Sequence, residues 1–398
     1  MGLSLLRALF PLAAFLALLP ASAPAAVFAA SPEDYLARLR DLAPGDTLRL
    51  APGVYGAGLP IHGLMGRVDA PIVIEGPPAG TPAVFVARPG HNTVSIVDAA
   101  HVTVRNLVLE GRGLPVDGVK CEGHARFAHH ITLEQLVIRG HGATQQTVGI
   151  STKCPAWNWV IRGNVIEGAG TGIYLGNSDG RAPFVAGLIE DNLVRDSVGY
   201  NLQIKHQLAR PLLPGLPLAP AVTVIRHNRF VKLAPPRADS LPRPSVLLGH
   251  FPKTGAGAQD RYLVHHNVFH GNPMPGEALF QGEGNIVLAC NVFLAPQGDA
   301  IRIQPHNDIP REVTITRNVV LAAGTGVSLR LGPDSEAHVQ RVMHNLIHAR
   351  EPVAGVHGPN VTGPPEAAGF DPAADPAWLL ERFVACTPPA EMGDELLR

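Results

Sequence analysis

Between residues 100 and 350 one short phrase recurs nine times: an alternating apolar strand, then Asn or Gln, then an apolar pair. In order the phrases are VTVRNLVL, ITLEQLVI, WVIRGNVI, GLIEDNLV, TVIRHNRF, LVHHNVF, VLACNVF, TITRNVV and RVMHNLI. The polar member falls at Asn106, Gln135, Asn164, Asn192, Asn228, Asn267, Asn291, Asn318 and Asn345. Six of the eight steps span 24 to 29 residues and the other two span 36 and 39. Such a period belongs to solenoids and is too short for a propeller blade. Each phrase is rich in Val and Ile and alternates with period two, the signature of a strand with one buried face. A second short strand follows in VGIST, GIYLG, NLQIK, SVLLG, AIRIQ and GVSLR. No segment between these strands carries a 3.6-residue apolar stripe, which excludes β-α-β units. The pattern predicts an all-β chain in which each repeat is one coil of a parallel β-helix.

In such a coil a recurring Asn has a physical task. At a corner its amide can pair with backbone groups and with the same residue one turn away, satisfying polar atoms that would otherwise be buried alone. All nine positions are therefore expected in one ladder, with no catalytic role. The open ends of the coil need caps. SPEDYLARLRDL, residues 31–42, predicts an amphipathic helix with Ser31 as N-cap, Asp34 as capping-box acid and Tyr35, Leu36, Leu39 and Leu42 on one face. DPAWLLERFVAC, Asp375 to Cys386, predicts a short C-terminal helical cap, reached through a Pro- and Gly-rich stretch.

Residues 1–29 read as a signal peptide: a single Arg7, an apolar run from Ala8 to Leu19, then small residues to Ala30. That run is too short for a membrane span, so a periplasmic or secreted location is expected. The β-helix domain with its N-terminal cap is assigned to 30–350 and the wrapping segment and C-terminal cap to 351–398. A solenoid lengthens by adding coils, so a single elongated domain, expected to be monomeric, accommodates this length. The 32 basic and 33 acidic residues leave no global field to steer nucleic acid. Cys121 and Cys154 follow matching strands one turn apart and are expected to form a disulfide. Cys290 with Cys386 is a second, weaker pairing.

Aligning the second strands turn by turn yields two outward columns. One runs Ser151, Tyr174, Gln203, Leu247, Arg302, Ser328; the other runs Lys153, Gly176, Lys205, Gly249, Gln304, Arg330, with Asn177, His206 and His250 just beyond. The extra residues of the two long steps, QLARPLLPGLPLAP, KLAPPRADSLPRP and PKTGAGAQD, flank this region. Insertions in solenoids cluster on the binding face. They predict a cleft floored by Tyr174, Lys205, His206 and His250, with Lys153, Asn177, Gln203 and Arg302 as ligand-binding residues.

LAPGDTLRLAPGVYGAGLPIHGLMGRVDAPIVIEG, residues 42–76, resembles the opening coil of bacterial β-helix polysaccharide lyases, and the ladder phrases extend the resemblance to residue 350. The chain is similar to the pectin-lyase-like superfamily and, within it, to the alginate lyase and chondroitinase B group. The resemblance implies a single-stranded right-handed parallel β-helix of about ten turns. It also implies an acidic-polysaccharide ligand and β-elimination beside a uronate carboxylate. That chemistry requires a base, a cation for the carboxylate and a proton donor for the leaving oxygen. Lys205 in NLQIKHQ matches the base of that group in type. The Arg that the group places one turn later is missing, because SVLLGHF offers His250 instead. His206, His250 and Tyr174 remain alternative donors. No cofactor is evident and no metal ligand set is assigned. A divalent cation such as calcium stays open, since only Asp179 and Glu122 lie near the columns.

Each residue has a plainer explanation. Lys205 on a solvated sheet is by default surface charge; His129, His130, His227, His266 and His344 are corner residues; Tyr174 is equally a sugar-stacking platform. Gly140-His141-Gly142 is a turn, because the paired aspartates of β-helix hydrolases are absent. Three functions follow: a polysaccharide lyase, a uronate C5-epimerase sharing the same abstraction step, and a non-catalytic β-helix that binds or organises polysaccharide.

Overall fold

A computed structural model describes residues 25–333, 337–355 and 358–368. The helix expected at Asp375–Cys386, together with Cys386 and the apolar run of the leader, lies outside them. The described chain is a parallel β-helix whose coils stack three files of strands. The first file passes through twelve strands, from Val27–Ala30 through Thr47–Leu50, Ile72–Glu75 and Ala99–Arg105 to Gln340–Met343. The second runs from Gly53–Tyr55 through Leu107–Glu110 and Arg229–Val231 to Val361–Gly363. The third runs from Leu59–His62 through Thr171–Leu175 and Leu202–Ile204 to Ile301–Ile303. The eleven-residue strand Val319–Leu329 joins the second and third files. Every pairing between named strands is parallel, since each coil returns one rung further along the axis.

The expected domain boundary between residues 29 and 30 falls inside the first strand, where Val27 pairs with Thr47 and Ala30 with Leu50. The boundary at 350 likewise falls inside Leu346–Ala354. The N-terminal helix is shorter than its sequence pattern, covering Tyr35–Arg40. Its N-cap is Asp34 and not the expected Ser31, although Ser31 N–H still donates to Asp34 Oδ1 at 2.7 Å. Tyr35, Leu39 and Leu42 are buried, and Tyr35 meets the rings of Tyr55 and Phe85 edge-on.

The core is a set of vertical files. Ile138, Ile166, Val194, Phe230, Phe269 and Phe293 succeed one another in register on the inner side of the second file, all fully buried. Phe269 and Phe293 stack with ring centroids 4.6 Å apart. Burying each such side chain contributes roughly 1.5–3 kcal/mol.

The polar ladder is real but shifted at its start. Asn164, Asn192, Asn228, Asn267, Asn291, Asn318 and Asn345 form one file, each amide donating to the Oδ1 of the next. The file continues to Asn360, which receives the Asn345 amide at 2.9 Å. Asn106 and Gln135 are not in it. They occupy the preceding corner position, with φ of 58° and 54°, in line with Asp191, His227, His266 and His344 at 55–59°. The ladder position in those two coils is held by Leu107 and Leu136, and the file ends where Asn164 Oδ1 accepts the Leu136 N–H. Asn tolerates the left-handed corner as readily as it fills a ladder, so sequence phrasing alone conceals the one-residue offset.

An ionic file runs along the outside of the first sheet. Arg49, Glu75, Arg105, Glu134, Arg162, Glu190 and Arg226 are successive partners in register. Glu75 accepts from Arg49 at 2.9 Å and Arg105 at 2.7 Å, and Glu190 bonds Arg226 at 2.8 Å. Arg226 thus faces away from the third file. His141 is buried with Nδ1 3.0 Å from Val116 O, consistent with the turn expected at Gly140-His141-Gly142.

Candidate functional site

The third file carries the expected columns, with one correction. Ser151 pairs with Tyr174, Tyr174 with Gln203, and Gln203 with Leu247. The next rung is Gln281, not Arg302, which follows one turn later. The coil carrying Phe280–Gly282 escaped sequence alignment because FQG lacks the apolar alternation of its neighbours. That coil also places Glu283, almost fully buried, in the second column between Gly249 and Gln304.

In that second column the residues in order are Lys153, Gly176, Lys205, Gly249 and Glu283. Glycine on either side of Lys205 has a steric reason. A Cβ on Gly249 would lie 2.3 Å from the His206 backbone nitrogen, and one on Gly176 3.3 Å from Lys205 Cβ. The chain passes so close that only glycine admits the Lys205–His206 backbone and lets the lysine stem cross the rung below.

Two clusters result. In the first, Lys153, Tyr174, Tyr200, Gln203, Gln145 and Arg243 line a cleft of about 120 Å³. Lys153 Nζ is 3.3 Å from the centroid of the Tyr174 ring. Burial brings the Lys153 ammonium down to about 8, with Lys120 and Lys205 acting in the same direction and Asp117 against them. Burial raises the Tyr174 hydroxyl above its ordinary value and so keeps it protonated. Lys205 is half-buried; burial lowers its pKa, Glu283 opposes that and Arg243 reinforces it. In the second cluster, His206 and His250 face each other with ring centroids 5.7 Å apart. His250 Nδ1 meets Phe251 O at 2.7 Å, and its backbone N–H donates to Glu283. Burial lowers the His206 pKa, with His250 and Lys205 next in effect.

The four expected floor residues are therefore divided. Tyr174 lines the cleft with Lys153 and Gln203; Lys205 is two residues beyond Gln203 on the same strand exit; His206 and His250 pair at the corner past it. Asn177 is spent on the turn, its Oδ1 accepting the Ser178 N–H at 2.9 Å. Arg302 is four rungs from Tyr174, bonded to Asp299 at 2.8 Å, and does not join the cleft.

Arg243 was not singled out from the sequence, although it stands in the inserted KLAPPRADSLPRP. The insertion folds back across the coils: Gln145 Nε2 donates to Leu241 O at 2.7 Å, and Arg237 Nη1 donates to Gly142 O at 2.6 Å. It forms one wall of the cleft and brings the Arg243 guanidinium to it. The first insertion serves elsewhere, with Arg210 paired to Asp260 in a fully buried contact and Leu216 packed on Trp157 and Val185. A hollow of about 590 Å³ on the first sheet, lined by Asp260, Arg261, Arg311 and Glu312, is larger. Two of its charges are committed, Arg311 to Phe251 O and Pro252 O, and Asp260 to Arg210.

The Cys121–Cys154 disulfide forms as expected. Cys290 is not a free thiol.

No protein-family model matches the chain, and no curated protein matches it by sequence. Solved structures do. A GH136 lacto-N-biosidase from Eubacterium ramulus aligns over 85% of this chain and 68% of its own, with TM-score 0.50 and 13% identity. An alginate lyase from Paenibacillus sp. str. FPU-7 aligns over 85% and 98%, with TM-score 0.41 and 15% identity. A mannuronan C-5 epimerase A-module from Azotobacter vinelandii aligns over 79% and 88%, with TM-score 0.45 and 15% identity. At these identities the likeness is one of architecture. The chain is a parallel β-helix protein with a polar, cationic cleft on its third file.

Proposed function

We propose that this protein is an exported lyase that cleaves a uronate-containing polysaccharide by β-elimination. The observation that carries the proposal is the convergence of Lys153, Tyr174, Gln203 and Arg243 in one cleft beside a lysine whose pKa burial depresses. In this reading Arg243 and Lys153 hold the uronate carboxylate and the charge that develops on it as the neighbouring C–H bond breaks. Lys205 takes that proton as the base. The electron pair left behind forms the ring double bond and expels the glycosidic oxygen, which the Tyr174 hydroxyl protonates. Gln203 hydrogen-bonds the sugar. His206 and His250 lie past Lys205, outside the residues that line the cleft, so we assign them no proton transfer.

The test is ultraviolet absorbance of unsaturated uronate after incubation with alginate, pectate and glycosaminoglycans. Product formation abolished by Lys205→Ala in a folded variant is the expected result. Solvent hydrogen incorporated at the uronate without chain cleavage would make the protein a C5-epimerase. Neither product nor exchange across the panel would leave a non-catalytic polysaccharide-binding β-helix.

A further inference from the structure

At the corner leading into the first file, and not on the third file that carries the cleft, His101, His129 and His130 bring one imidazole nitrogen each to within 4.8 Å of one another. Among the described residues this is the one such group of three His, Cys, Asp or Glu side chains. We propose that this corner binds a first-row divalent transition ion with a preference for nitrogen donors, such as Cu²⁺ or Ni²⁺.

The geometry of the vicinal pair is the first support. His129 Nδ1 and His130 Nδ1 are 2.8 Å apart. Two nitrogens that close, each about 2.1 Å from an ion, subtend roughly 85° at it. That is a cis pair in square-planar or octahedral coordination, not the wider angle of tetrahedral zinc. The second support is the surrounding shell. Asn158 Nδ2 lies 3.0 Å from His130 Nε2, so an amide rotated end for end accepts the Nε2–H that ligation through Nδ1 requires. His129 is held on its other face by Trp157, stacked at 4.5 Å. His101 lies stacked on His130 at 4.2 Å, and ligation requires its ring to tilt out of that stack to complete the set. All three rings are half-buried, so an ion from solvent reaches them.

A second vicinal pair supplies the contrast. His265 Nδ1 and His266 Nδ1 are 2.7 Å apart, and His227 stacks on His266. Those three rings do not bring one nitrogen each within 4.8 Å of one another, as the first trio does.

Bound there, the ion clips two successive coils, because His101 belongs to one and His129 and His130 to the next. The test is a Cu²⁺ or Ni²⁺ titration of the full chain without a polyhistidine tag, followed by tryptophan fluorescence and calorimetry. Stacking of Trp157 on His129 makes quenching a local signal. The expected result is saturable quenching at one ion per chain and a raised unfolding temperature. Affinity should fall about tenfold or more in His129→Ala and in His101→Asn, the latter retaining a residue that tolerates the left-handed φ of 54°. His265→Asn should leave binding unchanged. Quenching that does not saturate, or that persists undiminished in both ligand variants with native circular dichroism, would overturn the proposal. Equal loss of binding in His265→Asn would overturn it as well.

Discussion

Lys153 Nζ lies 3.3 Å above the Tyr174 ring, and the same burial that seats it there brings its pKa down to about 8. The ammonium is therefore fully charged below pH 7 and loses its charge as pH rises through about 8. A uronate ligand held by this group binds more weakly on the alkaline side. In a Lys205→Ala background, where turnover is removed, the Kd of an acidic oligosaccharide should rise about tenfold between neutral pH and pH 9. Lys153→Met should bind weakly at every pH. A pH-independent Kd in the parent would remove Lys153 from the binding site.

Arg243 reaches the cleft from an insertion and not from a strand, so its loss should spare the fold. Arg243→Ala should reduce kcat/KM by roughly 10²-fold or more, the order seen when one charge-stabilising donor is removed. Its unfolding temperature should stay within a degree or two of the parent. Unchanged turnover would return the role of carboxylate anchor to Lys153 alone.

The asparagine file makes an asymmetric prediction. Asn228 donates to Asn267 Oδ1 and Ile189 O and accepts from the Asn192 amide, all in the buried interior. Asn228→Ala strands several of these partners and should lower stability by about 2–4 kcal/mol. Asn164→Leu should be milder, because the rung before it is already Leu136 and the file ends there. Urea unfolding of the two variants compares them directly, and equal losses would show that the ladder is not the source of the stability.

His265 carries a pKa brought down to about 3 from 6.5, first by burial and then by His266, His227 and Arg226. A histidine held neutral in the fold contributes stability that is complete above pH 6.5 and is lost as pH falls toward 3. The unfolding temperature should therefore decline through this window. His265→Asn should flatten the decline. A parent profile no steeper than the variant's would refute the assignment.

The Cys121–Cys154 bond closes a loop with a sequence separation of 33. The double variant Cys121→Ser, Cys154→Ser should unfold with about 2–4 kcal/mol less stability while keeping its β-sheet circular dichroism. No loss of stability would mean that the stacked coils already restrain that loop.

Particular residues show where the sequence was sufficient and where it failed. The stack of Asn164, Asn192 and Asn228, the disulfide, and the outward pairing of Tyr174 with Gln203 were all legible. Each depends on a period that survives in one dimension. Asn106 and Gln135 were placed one position off, since a corner and a ladder both accept such residues. Glu283 was missed because its coil has a glycine-bearing strand without alternation. Arg243 was overlooked inside a Pro-rich insertion that carries no periodicity. The charge file from Arg49 to Arg226 lies in plain view, but only stacking joins residues some thirty positions apart.

By itself the sequence determined that the chain winds into coils of short parallel strands, because alternation and repeat length are local properties that backbone pairing must obey. Which side chains share a cleft was decided only in three dimensions. Insertions fold back across several coils, and burial lowers the pKa of Lys153 and Lys205. Neither the path of an aperiodic loop nor the dielectric around a lysine is written in the spacing of residues along the chain.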